Sequence, residues 1–249
     1  MEQSIKVGED LKIRVLLALD KFGWLTAEQV GAVCFSHSKN PAVRARLKLR
    51  QLLRQGLVRG TSTSHATVAW QLTNATRLAL EQAGLRVPRA IEYVNVHHVT
   101  EHTALATWIA IQKRGWNEYS LLTGQVPGLK SRLMGKIPDA VYWQGHDLIW
   151  VEVENSWKNK KSRQGVLNFC VAAFGKEVKN PIEIGDKILT MMEIVCATDE
   201  SFKAIRRTIA ANKSHFSEMR LSEMLVRVQK LRSGLNLADP GESLFAIDA

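Results

Sequence analysis

Apolar residues recur at helical spacing from early in the chain. Leu11, Val15, Leu16, Leu19 and Phe22 share one face and predict a helix of about three turns that ends near Gly23. Thr26 stands where an N-cap belongs, ahead of Glu28 and Gln29. It opens a second helix through TAEQVGAVCF, with Val30, Val33 and Cys34 or Phe35 turned inward. After the turn SHSKNP, Asn40 as cap and Pro41 in the first turn predict a third helix, PAVRARLKLRQLLRQG, stopped by Gly56. Its expected core stripe is Val43, Leu47, Leu52 and Leu53, with Arg44, Lys48 and Arg50 largely on other faces. The strand-like runs LVRG and TVAWQLT flank a polar Ser/Thr/His tip and predict a hairpin, after which NATRLALEQAG closes the unit as a helix.

The order helix, helix, basic helix, hairpin is that of a winged helix-turn-helix, in which the third helix enters the major groove and the wing touches backbone or minor groove. The proline-bearing GLRVPRAIEY (84–93) reads as a linker, giving expected domains of 1–88 and 89–249. Beyond it, HHVTEHTALATWIAIQKR (97–114) predicts a helix with Val99, Ala106, Ile109 and Ile111 among its apolar positions. AVYW, the turn QGHD and LIWVEVE then predict a hairpin. In its second strand Ile149, Val151 and Val153 point one way and Trp150, Glu152 and Glu154 the other. SRQGVLNFCVAAFG predicts a helix over this sheet, KILTMMEIVCA an apolar strand, and ESFKAIRRTIAANK a helix exposing Arg206 and Arg207. LSEMLVRVQKL suits a strand or a helix, and LADPGESLFAIDA reads as a loop. The fold class expected is α/β (α+β), with a central mixed sheet flanked by helices in the second domain.

Charge sharpens this picture. Residues 1–90 carry 14 Lys/Arg against 6 Asp/Glu, and the remainder 20 against 18, so +8 of the net +10 lies in the first part. No acidic residue occurs between Glu28 and Glu81, while Lys39, Arg44, Arg46, Lys48, Arg50, Arg54 and Arg59 crowd that interval. Ordinary solvated helices mix signs, whereas a surface this free of acid suits a polyanion, whose counterions it displaces. Double-stranded DNA is therefore the expected partner. Arg44, Arg46, Lys48 and Arg50 are the candidate DNA contacts, with Lys39 and Arg59 as candidate phosphate contacts. A winged helix used only for protein contacts is the plainer alternative. No run approaches the roughly 18 apolar residues of a membrane span, and the opening MEQSIKVGEDLK lacks a secretory profile, which points to the cytoplasm. Cys34, Cys170 and Cys196 have no metal-ligand spacing and read as buried thiols in a reducing compartment.

Glu152 and Glu154 share a strand face, and Asp139 arrives from the neighbouring strand. Three clustered carboxylates need a compensating cation, and a hard divalent metal is the usual one. Lys158, Lys160, Lys161 and Arg163 follow directly and supply positive charge. Pro138-Asp139, twelve residues, then Glu152-Val153-Glu154 resembles the core motif of the PD-(D/E)xK nuclease superfamily. The third position departs from it, because Glu154 stands where lysine is usual. Glu154 then serves as base or as ligand to a second metal, and Lys158 supplies the positive charge from the adjacent turn.

Over residues 10 to about 200 the organisation is similar to MobC-type mobilization relaxases and the replication-relaxation family of plasmids and integrative elements. The residues that carry the match are Pro138, Asp139, Glu152, Glu154, Asn155 and Ser156. The resemblance implies Mg2+- or Mn2+-dependent nicking of one strand at a transfer origin. Asp139, Glu152 and Glu154 would hold the metal, and Asp139, Glu152, Glu154 and Lys158 would form the catalytic set. It also implies other mobilization proteins and a coupling protein as partners, without membrane insertion. A non-catalytic accessory protein or transcriptional regulator is the rival expectation. His98 and His102 share a helix face and are accessory candidates, for a hydrogen bond to the acids or to phosphate, or as a structural pair. Of the tyrosines, Tyr142 falls on the face opposite Asp139, so a metal-activated water is a simpler nucleophile than a tyrosine.

Overall fold

Local caps set the first elements of the chain. Helix α1 (Glu2–Phe22) ends at Gly23, whose φ of 75° is open to glycine at no steric cost. Helix α2 (Ala27–Cys34) starts at a capping box: Thr26 Oγ1 accepts from Gln29 N at 3.2 Å, and Gln29 Oε1 accepts from Thr26 N at 3.0 Å. Helix α3 (Pro41–Arg54) begins with Pro41 in its first turn. Asn40 holds the N-cap position, but its side chain makes no capping bond, in contrast to its expected role. Strands β1 (Val58–Ser62) and β2 (Val68–Leu72) pair antiparallel, and helix α4 (Asn74–Gln82) follows with Thr73 as its cap. Leu25 and Trp70 exchange two backbone hydrogen bonds of 3.1 and 2.9 Å, an isolated antiparallel bridge on the β2 side of the hairpin.

The structure is a computed structural model that describes residues 2–63, 68–85, 101–122, 136–154, 160–215, 226–231 and 245–246. The hairpin tip at 64–67, the expected linker from 86 onward and His98 lie outside these residues. The chain divides into two units, 1–100 with 119–125, and 101–118 with 126–249. In the first, Leu16, Leu19, Phe22, Leu25, Val30, Leu49, Leu52, Val58 and Leu72 are buried together. The expected stripe of α3 is corrected: Ala45, Leu49 and Leu52 face inward, while Val43, Leu47 and Leu53 are exposed. Leucines lie on both sides of this helix, so periodicity alone permits either stripe. The close seat of α2 decides it, since a Cβ on Gly31 would stand 2.9 Å from the backbone of Pro41 and Ala42.

The second unit is built on a mixed sheet. Helix α5 (Glu101–Gln112) is followed by strand β3 (Trp116–Asn117) and by α6 (Glu118–Leu122), whose later residues belong to the first unit. Strands β4 (Ala140–Gln144) and β5 (Asp147–Glu154) form the expected hairpin around Gly145 and His146. Helix α7 (Lys160–Phe174), strands β6 (Glu183–Ile184) and β7 (Lys187–Cys196), helix α8 (Asp199–Ala210), and strands β8 (Val226–Leu231) and β9 (Phe245–Ala246) complete the unit. The strand order is β3-β4-β5-β7-β8-β9, with β6 paired to β7. Pairs β5/β7 and β7/β8 are parallel and the others antiparallel. Of the segment that suited strand or helix, residues 226–231 form β8 and the rest lies outside the described residues, and part of the tail read as loop is β9.

Parallel register puts Trp150 beside Met192 and Glu152 beside Ile194 on one sheet face. Helix α7 covers that face, with Phe169 stacked 4.2 Å from Trp150 and Cys170 against Met192. The three cysteines form no disulfide and are buried, and burial pushes the thiols of Cys34 and Cys170 up to about 11 and about 12. Among the described residues no helix is long and apolar enough to cross a membrane.

The C-terminus of α5 is locked to β4 by a glycine. Arg114 takes a φ of 53°, Gly115 N donates to Ala110 O at 2.8 Å, and a Cβ on Gly115 would fall 1.9 Å from Val141 O. Gly115→Ala is expected to destabilise the second unit by at least about 2 kcal/mol, because the obstacle is backbone and cannot rotate away. Urea unfolding followed by tryptophan fluorescence reads this, and an unchanged midpoint would show that α5 and β4 do not approach so closely.

Candidate functional site

Asp139 is held at four atoms where β4 begins. Its N donates to Val151 O at 3.1 Å, and its O accepts from Glu118 N at 3.0 Å. Its Oδ2 accepts from Val153 N at 2.7 Å, so the carboxylate continues the strand ladder where a backbone carbonyl would otherwise stand. Its Oδ1 lies 2.7 Å from His102 Nε2, in the first turn of α5. A carboxylate oxygen accepts, so Nε2 is the donor in this pair. The Asp139 side chain is 12% exposed and that of His102 is 30%, which makes the histidine the outward member of the pair.

Glu152 faces the side covered by α7. Its Oε1 accepts from Lys136 Nζ and its Oε2 from Trp150 Nε1, each at 3.1 Å. The Lys136 ammonium lies 5.3 Å from the Phe169 ring and 6.0 Å from that of Trp150, so ring faces and a carboxylate hold it together. Glu118 stands within electrostatic reach of the same groups. Burial pushes its carboxyl up, Asp139 and Glu152 add to that, and His102 opposes it.

The structure brings together His102, Glu118, Lys136, Asp139 and Glu152. Lys136 and Glu118 were absent from the expected set. Lys136 was legible, since it stands three residues before Asp139 in the strand-like run KIPDA. Glu118 carried no such signal, because its approach depends on the turn from α5 into β3. Glu154 shares the strand face of Glu152 but is 1% exposed, deeper than Asp139 or Glu152. Lys158 lies outside the described residues, and Lys160 and Lys161 fall in the first turn of α7. Tyr142 is buried with the Lys113 ammonium 4.9 Å from its ring, a packing position.

The expected metal finds the right donor type in these carboxylates but not the arrangement. Among the described residues no group of three or more His, Cys, Asp or Glu converges so as to hold an ion. Both oxygens of Asp139 and both of Glu152 already face internal donors. The cation that clustered acids require is here supplied in part by Lys136. As placed, these side chains do not fit a bound divalent ion.

The six basic candidates of the first unit divide. Lys39, Arg44 and Arg50 are exposed, with no ion pair among the described residues. Arg46 is paired with Glu28. Lys48 reaches Gln51 at 3.3 Å, and burial followed by the nearby Lys12 lowers its pKa. Arg59 donates to Gln71 Oε1 through Nε at 3.1 Å and Nη2 at 2.8 Å. The sequence set Lys39 and Arg59 apart from the four on α3, and the neighbours of each side chain draw a different division. No family model, curated protein or solved structure matches the chain.

The raised Glu118 carboxyl has a consequence for stability. Above the ordinary glutamate value near 4.3, the unfolded chain ionises more readily than the folded one, so this residue costs stability as pH rises through its folded value. Glu118→Gln is expected to raise the thermal midpoint at pH 7, with the gain vanishing towards pH 3. A gain of equal size at both pH values would disconnect the effect from ionisation.

Proposed function

We propose that this chain is a DNA-binding protein whose first unit is a winged helix-turn-helix and whose second unit breaks one strand at the His102–Asp139 site. The observation that carries the reading is the pairing of an outward histidine with a buried, backbone-anchored carboxylate. It stands in a unit joined to the segment that holds most of the net charge. Asp139 orients the ring, and the His102 imidazole takes the proton of the water that attacks phosphorus; the P–O bond to the leaving deoxyribose oxygen breaks, and that oxygen takes a proton from solvent. Lys136, 29% exposed beside Glu152, balances the charge that develops on the phosphoryl oxygens. Nicking at a transfer origin, with Mg2+ or Mn2+ and with mobilization and coupling proteins as partners, is the finer form of this proposal and rests on the PD-(D/E)xK resemblance. A non-catalytic accessory or regulatory role is the second reading, favoured by the internal donors that occupy Asp139 and Glu152.

The test is conversion of supercoiled plasmid carrying the intergenic DNA that flanks the gene, with magnesium, with manganese and with chelator. Open circles nicked at one position on one strand are expected, and breaks confined to the metal arms would mean that the carboxylates rearrange to take an ion. Asp139→Asn keeps an oxygen for Val153 N–H, so it is expected to fold and bind duplex while losing nicking at least a hundredfold. Binding without any break in the wild-type protein would leave the accessory reading.

Duplex affinity should fall steeply with salt. Arg44→Ala with Arg50→Ala is expected to flatten the slope of log K against log salt by about 2, on the order of 0.9 for each phosphate no longer neutralised. Arg59→Ala should change it little, and an equal effect from Arg59 would contradict the division of these side chains.

A further inference from the structure

The outward face of α3 carries two large aliphatic side chains where a solvated helix would be wholly polar. Ala45, Leu49 and Leu52 hold the helix to the core. Opposite them Val43, Leu47, Arg50 and Arg54 follow at intervals of four, three and four residues, the spacing of a single stripe. Val43 is 50% exposed and Leu47 60%, one turn apart in the first half of the helix. Single exposed aliphatics are ordinary. Two stacked on one turn with arginines on the same stripe form a mixed surface, and no acidic residue from 29 to 80 offsets its charge.

We infer that Val43 and Leu47 read thymine methyl groups in the major groove, while Arg50 and Arg54, further along the stripe, meet the acidic edge of the duplex. The inference rests on the DNA-binding reading of the first unit and adds which bases that unit prefers. A major groove presents apolar surface only at the thymine C5-methyl, amid acceptors and flanking phosphates. Isolated aliphatics between basic side chains match that pattern. A second copy of the chain is a poorer occupant, because apposing two such stripes would bring arginine against arginine without a counter-charge.

The test uses the full chain and a duplex selected from a randomised pool by binding to it. Each thymine of that duplex is replaced singly by uracil, which removes a methyl and leaves every hydrogen-bonding edge intact. The wild-type protein is expected to lose about fourfold in affinity at one or more positions, the value of one methyl-sized apolar group removed from water. Leu47→Ala, at an exposed helical position that tolerates alanine, should abolish that sensitivity at one position and leave the rest unchanged. Selective binding that is indifferent to every uracil would overturn the inference and leave the DNA-binding reading standing. So would a Leu47→Ala protein that retains every sensitivity, or one that changes only from dimer to monomer in sedimentation. Failure to select any duplex would instead remove the reading on which the inference rests.

Discussion

The arrangement of the second unit depends on where one carboxylate takes the place of a peptide carbonyl. Strand β5 extends beyond its ladder with β4, and the N–H of Val153 would lack an acceptor if Asp139 Oδ2 did not meet it. A buried backbone donor left unpaired costs roughly 1–3 kcal/mol. Because Asp139 must satisfy that donor, its second oxygen is presented to α5, where His102 waits. Its own carbonyl meanwhile holds Glu118 N at the turn into α6. One side chain thereby joins a strand, a helix and a turn, and it orients an outward-facing histidine.

Glu152 is held by a different device. Trp150 and Glu152 lie on one face of β5, so the indole can donate to the carboxylate two residues on. Phe169 of α7 packs on the indole and forms one wall for the Lys136 ammonium. Hydrophobic packing and charge pairing are therefore a single structure at this position. Two acids that would repel if bare are each given a proton donor by the fold, and Glu118, with neither device, has its carboxyl raised by burial and by its neighbours.

In the first unit the division is between basic side chains engaged with neighbours and those directed outward. The pair Arg46–Glu28 and the two hydrogen bonds from Arg59 to Gln71 tie those groups to their own scaffold. Exposed ion pairs contribute little to stability, so the effect of the Arg46 pair is mainly to leave charge concentrated at Lys39, Arg44 and Arg50. The outward face of α3 carries Val43 and Leu47 for a related reason: the seat at Gly31 and Pro41 sets the roll of the helix, and that roll turns those two aliphatics away from the core.

The sequence by itself determined the features that depend on neighbours in the chain. Thr26, Pro41 and Gly56 mark helix ends through caps and backbone preference, and Gly145 with His146 closes the β4–β5 hairpin. Alternation separated Trp150 and Glu152 from Val151 and Val153, and counting charges placed the basic excess in the first ninety residues. The tertiary structure alone decided which stripe of α3 is buried, because leucines on both sides satisfy the helical period equally. It also decided that Phe245–Ala246 pairs with β8, that Lys136 holds Glu152, and that Glu118 joins the acids. Each of these depends on a partner distant along the chain or on the roll of one element against another, which local periodicity does not encode.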